Sequence, residues 1–435
     1  MKLIHATLLT AAAFAASAQT PEITQVSMTQ GRKRIVTIDY TLQNAPAIIT
    51  VDIQTNGVSI GDANISGGGY LAGDVNFLAP TNGSYRIRWD VANAWPDHDI
   101  PSGVRAVVSA WSPDTPPDII VADLTSTSNV EYYTSIEALP GGLLANQAYR
   151  TTKIVMKKIH ANGIPWTMGS VSETGRQSNE YSHGVTLTND YFMGVFPVTQ
   201  GQFECVFGSS RNPSTFKFNG DKAMRPVEMV RYVQLRQNTP GNSSANATYA
   251  YPNAPLEGSI IGEMRRLTGI KFEVPSEAQW EFACRALNGE GKWGNGTSCN
   301  GSDTDDANLP GRYLYNQATP GSTTADATVG KGNGTAEVGT YGKNGFGLYD
   351  MHGNVFEWTL DFYIKDRRTL PDGDAHGAPN AAGQQDLNGE SGSTRVAKGG
   401  SWKTGAQNCR SAYRSTPSQT GNANDRGVRL VIVLD

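Results

Sequence analysis

From residue 150 to residue 435 a single stretch carries a clear helical pattern, PSEAQWEFACRA at 275–286. Ser276 is a natural N-cap, and Gln279 stands three residues on to close a capping box. Apolar side chains recur at Ala278, Phe282 and Ala286, with Trp280 and Ala283 beside them. Two shorter helices are expected, at 199–207 with Thr199 as cap and at 258–269. The rest is short strands, such as 429–433, set among loops. The chain contains 48 glycines and only 17% charged residues, against roughly 25% charged in soluble domains. A chain so composed folds around turns, and the C-terminal part is expected to be α+β with little regular secondary structure.

The segment 21–125 has a different texture. Apolar and polar residues alternate at 34–40, 48–53, 85–89 and 104–108, and turn pairs such as Asn56-Gly57 and Asn82-Gly83 punctuate them. This period of two predicts an all-β, Ig-like antiparallel sandwich. Trp95 and Trp111 offer faces on which a sugar would stack, but packing against the sheet is the role expected of them. Residues 126–148 lack periodicity and read as a linker, with a short strand docked on a neighbour as an option. At the other end, a short charged start, an apolar run and Ala16-Ser17-Ala18 form a signal-peptide pattern, with cleavage expected after Ala18. The chain is therefore expected to be secreted, either periplasmic or extracellular, with no transmembrane segment after cleavage.

Composition excludes several function classes. A net charge of −4 without a Lys/Arg cluster lacks the footprint of a nucleic-acid binder. The six histidines are scattered, with no H-E-x-x-H, and no G-x-S-x-G elbow is present. Gly289 to Gly294 fits G-x-G-x-x-G but follows a helix instead of a strand, so it reads as a loop. The four cysteines, Cys205, Cys284, Cys299 and Cys409, are widely spaced. That spacing forms no zinc cluster and fits one structural bridge plus free thiols, with the pairing open.

Four blocks, in order, resemble the formylglycine-generating enzymes, or sulfatase-modifying factors. They are WTMGS at 166–170 with YFMGVFPVT at 191–199; VPSEAQWE at 274–281; NGFGLYDMHGNVFEW at 344–358; and RVAKGGSW at 395–402 with CRSAYR at 409–414 and RGVRL at 426–430. The resemblance spans 149–435 and implies that family's C-type-lectin-like core. It also implies a structural calcium in the GNVFEW loop, held by Asn354 and Glu357 side chains and the Val355 carbonyl, hard oxygen ligands that calcium favours. A second calcium loop would involve Asn308 and Leu309. The same residues also suit a plain turn in which Asn354 and Glu357 cap backbone groups. Arg410, Arg414, Arg426 and Arg429 are expected to hold carbonyls and acidic partners more than a ligand.

Active members of the family oxidise a substrate cysteine to formylglycine with molecular oxygen and copper(I) held by two cysteine thiolates. Copper(I) is soft, and a hydroxyl does not replace a thiolate ligand. In the family the first thiolate lies three residues beyond the Gly-Gly-Ser serine, here Ser401, and that position holds Thr404. Cys409 falls beyond the second position after a shortened loop, so no copper is expected. The family's helix cysteine is bridged to this region, which makes Cys284–Cys409 the disulfide candidate. Two readings follow. One is a non-catalytic member that binds a peptide, glycan or protein partner. The other is a working oxidase that recruits Cys409 with a second thiol.

Overall fold

The computed structural model describes residues 19–98, 103–127, 129–217, 222–251, 253–301, 305–324, 332–365 and 394–433. The signal-peptide expectation for 1–18 lies outside these residues. Among them, no helix is long and apolar enough to cross a membrane.

The alternating N-terminal segments form antiparallel strands. Glu22–Gln30, Ile35–Gln43, Gly83–Asp90 and Leu71–Gly73 make one sheet in that order. In a second, Ala47–Thr55 pairs along its length with Val104–Trp111 and at its ends with Val58–Ser59 and Leu78–Ala79. Asn56 and Gly57 join two of these strands with φ of 51° and 81°, the paired positive values a two-residue hairpin turn requires. Period-two burial sends Val36, Ile38, Tyr40 and Leu42 from one sheet into the same apolar cluster as Ile49, Val51 and Ile53 from the other. Trp95 packs against this cluster and stacks on His98 at 4.2 Å, while the Trp111 indole donates to Thr50 Oγ1 at 2.8 Å. Both rings are thus engaged by the sheet region.

The stretch read as a linker, 126–148, is built into the C-terminal unit. Val130–Tyr133 and Ile119–Asp123 are the first two strands of a six-stranded antiparallel sheet. It continues through Lys153–Ile159, Tyr191–Gly194 and Val431–Val433 to Phe272–Glu273. Ile120 and Ala122 enter one core cluster, and Ile119 and Val121 enter another. Both faces of this strand are therefore covered, as its unbroken apolar run requires. Ser66 Oγ donates to the Ala138 carbonyl at 2.8 Å, and the Ser135 hydroxyl to Asp62 at 2.6 Å, tying the segment to the N-terminal sheets.

The expected helices form as Gln200–Phe207, Ile260–Thr268 and Glu277–Arg285, with Thr199, Ser259 and Ser276 accepting the capping bonds. Full capping boxes close at Thr199/Gln202 and Ser276/Gln279, each cap worth about 1 kcal/mol. The third helix departs from its expected single stripe. All nine of its residues are buried, including Glu277, Gln279, Glu281 and Arg285. Cations from distant segments make that burial tolerable. Lys398 Nζ, wholly buried, meets Glu281 at 2.9 Å and Glu277 at 3.6 Å. Arg414 holds Glu277 at 2.6 Å, and Arg285 holds Glu281 at 2.8 Å. Burial pushes the Glu281 carboxyl up, but Lys398 and Arg285 outweigh it and leave the group below its ordinary value.

Behind this helix, Phe356–Phe362 pairs antiparallel with Arg395–Lys398 and parallel with Arg426–Gly427. Glu357 on that strand takes Arg429 Nη2 at 2.8 Å and the Trp280 indole at 2.6 Å. Removing one partner of a buried ion pair typically costs about 3–5 kcal/mol. Arg429→Met is expected to lower unfolding stability by that order in chemical denaturation. Adding Glu357→Leu should recover part of it, and a loss under about 1 kcal/mol for the single change would show that the pair carries no structural weight.

Candidate functional site

Ser401, Thr404 and Cys409 come together in one tight turn. Gly400 enters it with φ of 74°, and a Cβ there would lie 2.5 Å from Cys409 Sγ, so only glycine lets the chain run over the sulfur. Thr404 Oγ1 donates to the Ser401 carbonyl at 3.1 Å and accepts from the Ser401 N–H at 2.9 Å. The same hydroxyl lies 3.9 Å from Cys409 Sγ, which also approaches the Gly405 carbonyl at 3.7 Å. Cys409 is fully buried, and burial pushes its thiol up to about 12. A copper(I) ligand must shed that proton. A hydroxyl and one protonated buried thiol do not fit a two-thiolate site.

All four cysteines are free, so the Cys284–Cys409 bridge is not formed. The sulfurs have separate surroundings. Cys284 Sγ faces Ser411 Oγ at 3.4 Å and the His352 ring at 3.6 Å, whereas Cys409 looks into the Ser401 turn. His352 lies between their segments, linked to the Cys409 carbonyl through Nδ1 at 2.8 Å and accepting from Gly294 N–H through Nε2 at 3.0 Å. Burial lowers its pKa to about 4. Its neutral ring is a rivet between two loops. Cys299 packs against the apolar cluster of Trp293, Leu309, Tyr313, Ala406 and Cys409.

The loop at Asn354 departs from the expected calcium site. Glu357 is held by three donors: Arg429 Nε, whose one N–H is shared between both carboxylate oxygens, Arg429 Nη2 and Trp280 Nε1. Asn354, with φ of 65°, accepts from Ala336 N–H at 3.0 Å and donates to the Ala336 carbonyl at 3.2 Å. Val355 is buried between them. The two side chains do not fit calcium, because the Asn354 and Glu357 side-chain oxygens are engaged by protein donors. At the second loop, the Asn308 carbonyl accepts from Thr297 Oγ1 at 3.2 Å, its amide donates to Ser298, and Leu309 is buried. Asp306 there takes Trp293 Nε1 and the Asn300 and Asn308 N–H groups, while Asp303 lies outside the described residues. Among those residues, no group of three or more His, Cys, Asp and Glu side chains is placed to hold a metal ion.

The arginines anchor the framework. Arg410 takes Glu173 at 2.9 Å and Glu180 at 2.8 Å, and Arg414 takes Glu277 and the Asn179 carbonyl. Arg426 lies over the Trp358 ring at 5.0 Å.

One constellation escaped the sequence reading. Ser401 Oγ donates to Asp425 Oδ2 at 3.3 Å, and Lys403 Nζ reaches the same oxygen at 3.4 Å. Asp425 Oδ1 and Glu228 Oε2 are both buried without a hydrogen-bond partner among the described residues. Burial drives the Glu228 carboxyl up to about 8, with Asp425 adding to the shift against N–H bonds from Phe216 and Thr215. Glu228 therefore holds a proton at neutral pH. Nothing in the spacing of positions 228 and 425 announces this, since neither lies in a recognisable motif.

Two outcomes follow. A carboxyl whose folded pKa is raised stabilises the fold fully below its unfolded value near 4.5, and that contribution is lost as pH rises through about 8. Glu228→Gln should remove this component, which amounts to about 1.4 kcal/mol per pH unit between pH 5 and 7. Denaturant titrations at several pH values would read it, and an identical pH slope in the variant would refute it. Chelation by EDTA is expected to leave Tm unchanged, given the engaged oxygens of Glu357 and Asn354. A fall in Tm that calcium reverses would show a ligand set other than this one.

The family model of the sulfatase-modifying factor enzyme 1-like domain matches residues 150–434. The formylglycine-generating enzyme of Mus musculus is 32% identical over 289 residues, covering 61% of this chain and 72% of that protein. A protein named chaperone protein LppX from Paenibacillus barcinonensis is 25% identical over 274 residues, covering 60% and 86%. Among solved structures, Treponema denticola variable protein 1 covers 65% of this chain and 95% of its own at 25% identity, with a TM-score of 0.44. With residues 150–434 matched, more than half of its length, the chain belongs to the sulfatase-modifying factor family.

Proposed function

We propose that this chain is an exported member of the family that binds a peptide, glycan or protein partner and lacks copper-dependent formylglycine-generating activity. The Ser401 turn carries this reading. Where the family's chemistry requires two convergent thiolates, Thr404 closes the turn with its hydroxyl, and the neighbouring sulfur, Cys409, is buried and protonated. The relatives support the view that the scaffold is used in more than one way, since one carries the name of a chaperone and others that of formylglycine-generating enzymes. The N-terminal sheets, read as a β-sandwich, would present or dock the C-terminal unit through the ties at Ser66 and Asp62.

A second reading rests on Cys299. It packs against the apolar cluster that holds Cys409, so a local rearrangement could bring a second thiol to the first, as the oxidase reading requires.

The readings part on copper(I) titration under reducing conditions, combined with mass spectrometry of a sulfatase-motif peptide after incubation in oxygen. No stoichiometric copper binding and no formylglycine are expected from the mature chain. Tight one-to-one binding lost in both Cys299→Ser and Cys409→Ser, with formylglycine formed, would replace the binding reading by the oxidase one.

A further inference from the structure

At the seam where the chain enters the C-terminal unit, a cavity of about 130 Å³ opens between the strand Lys153–Ile159, the turn Ile136–Ala138 and the loop at 343–349. That is roughly four times the ~30 Å³ share of a liquid water. The cavity lining is mostly polar, and its polar groups are unevenly satisfied.

Three donors lining it have no partner among the described residues: Lys157 Nζ, Lys343 Nζ and the Tyr349 hydroxyl. Tyr349 is only 9% exposed, so its hydroxyl has little access to solvent other than through the cavity. Its placement is rigid. The ring rests on Phe196 at 5.3 Å, its N–H donates to Val195, and its carbonyl accepts from Arg429. The loop before it is fastened by Asn344, whose side-chain oxygen takes the Phe346 and Leu348 N–H groups. Two ammonium groups and a held phenol on one wall specify an anion.

The opposite wall restricts which anion. Glu137 lines it without an ion-pair partner among the described residues, whereas Asp118 is balanced by Lys158 at 3.7 Å. Thr134 and Ser135 give their protons to Asp62, which leaves their oxygens as acceptors. A phosphate or sulfate would carry two charges toward Glu137. A neutral ligand would leave both lysines unmatched. A molecule with a carboxylate at one end and an ammonium at the other satisfies both walls.

We propose that this cavity binds a small zwitterion of the amino-acid class, its carboxylate on Lys157, Lys343 and Tyr349 and its ammonium toward Glu137 and the Thr134 and Ser135 oxygens. The site stands apart from the Ser401 turn, so its success or failure is independent of the binding reading given to that turn.

Calorimetric titration of the mature chain with alanine, acetate, methylamine and phosphate at matched ionic strength tests it, since free charges are screened alike under those conditions. Saturable one-to-one binding of alanine, tighter than that of acetate or methylamine, is expected. Lys343→Gln lies on an exposed side chain and Tyr349→Phe removes an unpartnered hydroxyl, so both variants should keep the wild-type Tm. Each should weaken alanine binding about tenfold, the worth of one hydrogen bond to a charged group. Phosphate binding more tightly than alanine, unchanged alanine affinity in both variants, or no saturable heat with alanine would each overturn the proposal.

Discussion

The fold depends on satisfying charge inside a core that has little regular secondary structure to offer. Glu277 and Glu281 sit on a helix with no exposed face, and Glu357 on a strand with none. Burying an unpaired carboxylate costs several kcal/mol. Each is met by a cation from a late segment of the chain: Arg414, Lys398 and Arg429 respectively. The long loops are fastened to one another by these pairs, since helix and sheet ladders alone connect too few of them. Arg429 shows the principle most fully, because the same guanidinium takes the Gly194, Val195 and Tyr349 carbonyls as well as Glu357. One side chain thereby joins the six-stranded sheet, the Asn354 region and the strand behind the central helix.

This framework also governs what the blocks that carry the family resemblance can do. A Glu357 engaged by Arg429 is a structural acid, and the turn at Asn354 is held by hydrogen bonds to Ala336. The Gly399-Gly400 pair belongs to the same logic. Its left-handed backbone, with φ of 98° and 74°, brings Ser401 over Cys409 and beside Asp425. The turn is set by local sterics and a threonine hydroxyl, so its shape does not depend on a metal bridging two sulfurs.

Much of this was legible in the sequence where the signal is local. Caps at Thr199 and Ser276 require only a side chain three residues from its target, and both helices start where those caps stand. Period-two alternation found the N-terminal strands for the same reason. Within 126–148 the docked strand that its sequence allowed forms as Val130–Tyr133, four residues long and too short for periodicity to place, paired with Ile119–Asp123 of the C-terminal sheet. The polar face of the central helix was invisible as a buried face. Lys398 and Arg414 lie more than a hundred residues away, and periodicity does not see them. Thr404 was readable as a lost ligand, because a residue type at a fixed spacing is a local fact. The engagement of Glu357 was not, since it rests on a contact 72 residues apart.

Glu228 and Asp425 depart from the ion pairing that fastens the central helix. Two buried carboxyl oxygens without partners are costly, and cations stand near this pair, Lys403 at Asp425 Oδ2 among them, without meeting Asp425 Oδ1 or Glu228 Oε2. Protonation of Glu228 removes the like-charge repulsion but leaves a donor and an acceptor beneath the serine. The pairing that fastens Glu277, Glu281 and Glu357 is thus relaxed at Glu228 and Asp425, next to Ser401.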